Sequence, residues 1–126
     1  MQQIIIVGLG GFVGSVLRYL VSGWVQGLVD SPTFGYGTLS VNVLGCLAIG
    51  LLSGWADHAG VLSPSMRLFL MLGLLGGFTT FSTFGYETMA QLRDKAMLGA
   101  LLYVGLHLVL GLGAVALGYG LSNLKG

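Results

Sequence analysis

The residues with most chemistry to offer lie in one short run, Gly76-Gly77-Phe78-Thr79-Thr80-Phe81-Ser82-Thr83-Phe84-Gly85-Tyr86-Glu87. Phe78, Phe81 and Phe84 recur every three residues, close to one face of a helix. Ser82 and Thr83 set hydroxyl donors between the last two. The edge of an aromatic ring is the positive end of its quadrupole, so rings presented edge-on beside hydroxyls suit a small anion. They would hold it weakly enough for it to leave as well as enter. The bland alternative for such a stripe is packing. Paired glycines followed by β-branched Thr79-Thr80 are poor helix formers and predict a break. Backbone carbonyls freed at a break are tolerated within a membrane only where they line a cavity or bind an ion. As hard ligands they would suit Na⁺ rather than zinc.

Polar residues elsewhere fall on stripes of their own. Gly11, Ser15, Arg18 and Ser22 are three or four apart, one face of a helix. A charge such as Arg18 costs about 2.5–3.5 kcal/mol at the centre of a membrane helix, so it needs an interface, water or a partner. Two readings stay open: snorkelling to the interface, or a fixed positive charge at the mouth of an anion path. Thr38 and Asn42 are four apart; Asn42 could bridge helices or donate its amide N–H groups to an anion. No nucleophile–base pair is evident, and the single cysteine, Cys46, has only Ser/Thr and aliphatic neighbours. It can form no internal disulfide and no thiolate metal site. An enzyme is not expected.

The elements that must position these residues follow from composition. Charged residues are 7% of the 126-residue chain and apolar ones 55%, with mean hydropathy +0.92. A soluble domain carries about a quarter charged residues, and a disordered chain has low hydrophobicity; both are excluded. Net charge +1 gives no footprint for nucleic acid. The charges and loop signals cut the chain into four apolar runs, predicting transmembrane helices at about 4–29, 38–56, 66–92 and 97–121 within a single domain over 1–126. Asp30-Ser31-Pro32, Asp57-His58 and Arg93-Asp94-Lys95 separate them, and Ser63-Pro64-Ser65 reads as an N-cap opening the third. That third run exceeds the ~20 residues a straight crossing needs. The first run lacks a basic leader and carries Arg18, against a signal peptide. Its glycines resemble a dinucleotide-binding turn, but Val13 stands where the last glycine should, and no βαβ pattern follows.

Most of the 23 glycines read as packing devices. Gly10/Gly14, Gly23/Gly27, Gly50/Gly54 and Gly73/Gly77 have the spacing that lets helix backbones approach closely in lipid. Four spans place the second loop and both termini on one side, with Arg67 and Lys125. The first and third loops share the other, with Arg93 and Lys95. Such balance gives the positive-inside rule nothing to act on. A chain of this kind can insert both ways, and opposite copies can pair about a two-fold axis in the membrane plane.

Four features in order resemble the Fluc (CrcB-type) fluoride channel family: Gly10-Gly11-x-x-Gly14-x-x-x-Arg18-Tyr19, Gly37-Thr38-Leu39-x-Val41-Asn42, the run Gly76 to Phe84 with Glu87, and Tyr103 followed by His107. The resemblance covers the whole chain, and its third-helix motif is the specific one. It implies an all-α membrane protein with a broken third helix, forming an antiparallel, dual-topology homodimer with two pores in a bacterial plasma membrane. The implied activity is passive export of cytoplasmic fluoride, giving fluoride resistance. By the same resemblance Phe81 and Phe84 turn ring edges to fluoride, with Asn42 as amide donor and Ser82 and Thr83 as hydroxyls. Thr38 and Tyr103 join the pore, Arg18 stands near the entrance and Glu87 near the path. The carbonyls of Gly76 and Thr79 from both copies hold a structural Na⁺. The fourth helix departs from the family, with Gly111 and Val115 where hydroxyls would continue a polar track. His107 reads as a helix–helix hydrogen-bonding residue rather than a proton-coupling one. Other readings are a fluoride/proton antiporter, a non-transporting assembly subunit, or a small multidrug-type dual-topology exporter. The last would need a mid-membrane carboxylate, whereas Glu87 lies late in its span.

Overall fold

The computed structural model describes residues 1–58 and 60–124. Lys125, one of the four balanced loop cations, lies outside them. Helix α1 runs Gln2–Leu28 and α2 Tyr36–His58. The third span, Pro64–Arg93, is composite. Its first part, α3 (residues 64–78), starts with a turn at Pro64–Arg67, winds as a π-helix over Leu68–Leu75, and returns to α geometry for Gly76–Phe78. Thr79 and Thr80 are extended, at φ −90°, ψ 158° and φ −149°, ψ 116°. Helix α4 then takes Phe81–Arg93, and α5 takes Met97–Asn123.

The described chain is all-helical, and four of its helical spans are long and apolar enough to cross a membrane. Burial is inverted relative to a water-soluble bundle. The few buried large side chains include Leu39, Val41, Leu75 and Tyr103, while Ile4, Phe12, Trp24, Leu98, Val109 and Leu112 face outward. With no hydrophobic drive between helices in lipid, close backbone contact must hold them. The glycines supply it. A Cβ on Gly14 would strike the carbonyl of Leu74, one on Gly50 the carbonyl of Val115, and one on Gly77 would lie 2.6 Å from the carbonyl of Gly11. These contacts bind α1 to α3 and α2 to α5, the two main pairings. Gly23 and Gly27 face open space and make no such contact.

Local signals set the helix starts. Ser63 accepts from the Met66 N–H at 3.2 Å with Pro64 behind it, an N-cap opening α3. Gln26, in the last turn of α1, organises the first loop. Its amide donates to the carbonyls of Ser31 (2.7 Å) and Phe34 (3.2 Å), and its oxygen accepts from Gly37 N–H at 3.1 Å. That fixes the start of α2, and with it the depth of Thr38 and Asn42.

Candidate functional site

The site grows from the two extended residues between α3 and α4. Leaving the helix deprives backbone groups of their ladder partners, which inside a membrane is tolerated only when other groups replace them. Asn42 of α2 does this for Thr80 in both directions. Its Oδ1 accepts from Thr80 N–H at 2.8 Å, and its Nδ2 donates to Thr80 C=O at 3.0 Å. Arg18 of α1 serves Thr79, donating from Nη1 to its carbonyl at 3.2 Å. Thr79 N–H still reaches back to the Leu75 carbonyl at 3.0 Å. Because Thr80 N–H turns to Asn42, it does not close the helical bond onto Gly76, whose carbonyl is left without that donor.

The interruption therefore falls at Thr79-Thr80, while Gly76 and Gly77 remain helical. Gly77 serves close packing on α1, and space around Gly76 is open. Thr80 also caps the new helix: its hydroxyl accepts from Thr83 N–H at 3.2 Å and lies 3.0 Å from Thr83 Oγ1 and 3.2 Å from Ser82 Oγ. Helix α4 thus presents an N-terminus, with the partial positive charge of its first N–H groups, within the span.

Phe81 and Phe84 lie one turn apart on α4, ring centroids 5.5 Å apart. Phe84 continues into Tyr103 (5.7 Å) and His107 (4.4 Å) of α5. Phe78 does not join them; the extended residues redirect the chain, and its ring lies towards Gly45 of α2. Phe81, Phe84, Asn42, Thr80, Cys46 and His107 line one chamber of about 400 Å³, in which no carboxylate takes part. Phe81 is 83% exposed, an aromatic surface without a neighbour to cover it in a single chain.

The remaining expected residues are distributed around this chamber. Arg18, Thr38 and Thr83 line a separate space of about 280 Å³ with Ser15, Ser22 and Thr80, so Thr80 borders both. Glu87 faces a third space of about 370 Å³ near the first and third loops, with Gln26 and Gln91. Its carboxylate accepts from Thr38 Oγ1 at 3.0 Å and from the Tyr103 hydroxyl. Tyr103 is fully buried, a strut for Glu87 that lines none of these spaces. Ser82 is exposed and also lines none of them.

The sequence names Thr80 only as a poor helix former, not as the residue whose backbone and hydroxyl organise the interruption, and gives Gln26 no role. A polar side chain in the last turn of an apolar helix was the available signal for Gln26. The carbonyl of Gly76 has the chemistry of a hard-cation ligand, but that of Thr79 already accepts from a guanidinium. As a pair they do not fit a Na⁺ ion while Arg18 keeps that bond.

Residues 5–119 match the family described as "CrcB-like protein, Camphor Resistance (CrcB)". The "Fluoride-specific ion channel FluC" of Methylobacillus flagellatus is 44% identical over 98% of this chain and 97% of its own length. The protein of the same name from Rhizobium meliloti is 43% identical over 98% of each. That from Chlorobium chlorochromatii is 46% identical over 92% of this chain and 88% of its own.

Proposed function

We propose, because the chain belongs to the CrcB-like family and is an integral membrane protein, that it is a passive fluoride-selective channel. The observation that carries this reading is the chamber where Phe81, Phe84 and Asn42 meet without a carboxylate. Fluoride would enter against ring edges and the N-terminal end of α4, both weakly positive. Neither binds strongly, which permits exit as well as entry. The arrangement offers ion passage and no bond-making chemistry; the protein is a channel and not an enzyme.

The finer reading is an antiparallel, dual-topology homodimer in a bacterial inner membrane, exporting cytoplasmic fluoride. Three things support it: the balance of Arg67 and Lys125 against Arg93 and Lys95, the uncovered face of Phe81, and a chamber walled by one chain on part of its perimeter. A second copy would supply the missing wall. A structural Na⁺ at the dimer centre would use the carbonyl of Gly76, with Thr79 joining only if Arg18 moved away.

The deciding experiment is fluoride efflux from liposomes, with chloride as control. Electrogenic fluoride flux that Phe81→Ile abolishes is the expected result. Vesicles holding fluoride as tightly as protein-free ones would overturn the reading. Flux that builds no fluoride-driven voltage and follows a pH gradient would replace it with a fluoride/proton antiporter.

A further inference from the structure

The donors of Asn42 can be counted. A side-chain amide has two N–H groups and one acceptor oxygen. Its oxygen takes the Thr80 N–H and one of its hydrogens goes to the Thr80 carbonyl. The second points to His107 Nε2, 3.1 Å away. At the other edge of the ring, His107 Nδ1 lies 3.0 Å from the backbone carbonyl of Tyr103. A carbonyl can only accept, so Nδ1 carries the proton. In a neutral ring Nε2 is then a bare lone pair, and Asn42 donates to it. The partner nitrogen fixes the tautomer, and the tautomer fixes the direction of the amide. In this arrangement Asn42 has no N–H left for an anion.

The geometry points to His107 as the positioning residue that holds Asn42, and to its protonation as the event that frees the amide. A proton on Nε2 sets N–H against N–H across the 3.1 Å contact, which cannot persist. Asn42 keeps its two bonds to Thr80 or turns from them. While Asn42 keeps those bonds, one amide donor and the new Nε2–H become available to the chamber that both residues line; if it turns, its oxygen can take the Nε2–H and its two N–H groups are freed instead. An anion there would then meet two donors and a positive ring instead of a closed pair. The groups facing the ring are Tyr103 on its own helix (4.5 Å between centroids), Phe84 of α4 at 4.4 Å, and Cys46 of α2 on the same chamber. Glu87 of α4 lies behind Tyr103, the ring beside His107, and is held by Thr38 and the Tyr103 hydroxyl. Arg18 of α1 lines a different space.

The conduction part rests on the fluoride-channel reading; the hydrogen-bond part does not. Two measurements separate them. The chain has two histidines, so ¹⁵N-histidine spectra of His58→Gln protein in bilayers report His107 alone. A protonated Nδ1 and bare Nε2 at neutral pH are expected, with the Asn42 amide signals shifting as the ring titrates. A neutral ring protonated on Nε2, or amide signals unmoved through the titration, would overturn the latch. The second measurement is fluoride current across a planar bilayer at equal pH on both sides, which neutral HF does not carry. Native current should rise about threefold on acidification, with one-proton steepness. That factor is what about 0.6 kcal/mol gives for one interhelical hydrogen bond in a membrane. His107→Gln keeps an acceptor for Asn42 that takes no proton, and its current should be flat. The same pH curve in both proteins would overturn the conduction part. Native protein silent at every pH would overturn the channel reading and with it the conduction part, while the spectra still decide the latch.

Discussion

Replacing Asn42 by leucine keeps its branched shape and removes every hydrogen bond its side chain makes. Three are lost: two to the backbone of Thr80, at 2.8 and 3.0 Å, and one to His107 at 3.1 Å. At about 0.6 kcal/mol for each interhelical bond in a membrane, the sum is about 2 kcal/mol. Orphaning two buried backbone groups at about 1–3 kcal/mol each would reach about 2–6 kcal/mol. Two features pull the answer to the lower figure. The groups border a chamber rather than a close-packed core, and Thr80 N–H can return to the carbonyl of Gly76 by straightening the helix. We therefore expect a loss of about 2 kcal/mol, from reversible unfolding in mixed detergent micelles. Hydrogen exchange at the Thr80 amide should speed up if the group is orphaned and slow if the helix closes. A loss within the roughly 0.5 kcal/mol of an ordinary surface substitution, with exchange at Thr80 unchanged, would refute the reasoning.

Other substitutions probe other contacts. Gly14→Ala drives a methyl into the Leu74 carbonyl and should cost about 1–3 kcal/mol. Gly23→Ala, facing open space, should be neutral or gain up to about 1 kcal/mol from helix propensity; micelle unfolding measures both. Tyr103→Phe removes one of the two hydroxyls on Glu87 and should cost about 1.5–3 kcal/mol in the same assay, as loss of a charge-assisted bond.

How far the sequence carries depends on the kind of signal. The spans are legible because apolar length is a property of one segment at a time, and Ser63-Pro64 announces a helix start without outside help. Weak helix formers mark the run from Gly76 to Thr80, but the extended residues are Thr79 and Thr80 while the glycines stay helical. Weak helix formers lower the cost of leaving the helix, yet where it happens depends on who can replace the lost bonds. Asn42 and Arg18 reach Thr79 and Thr80, and no rule within the third span reveals that. The same applies to the aromatic stripe. Three-residue spacing unites Phe78 with Phe81 only in a continuous helix, and the extended pair separates them. The π-helical winding of Leu68–Leu75 has no marker among its residues at all.

Residues 79 and 80 act as a node into which three other helices report: α1 through Arg18, α2 through Asn42, and α5 through His107 by way of Asn42. Groups joined through one node do not contribute independently, so the energies of substitutions at 18, 42 and 107 should fail to add. A chain changing by single steps meets each position with the other two already fitted to it. Exchange of this segment between relatives is therefore a matter of moving with it a set of side chains from three other helices, and a graft of the third span alone would arrive without the partners its backbone needs.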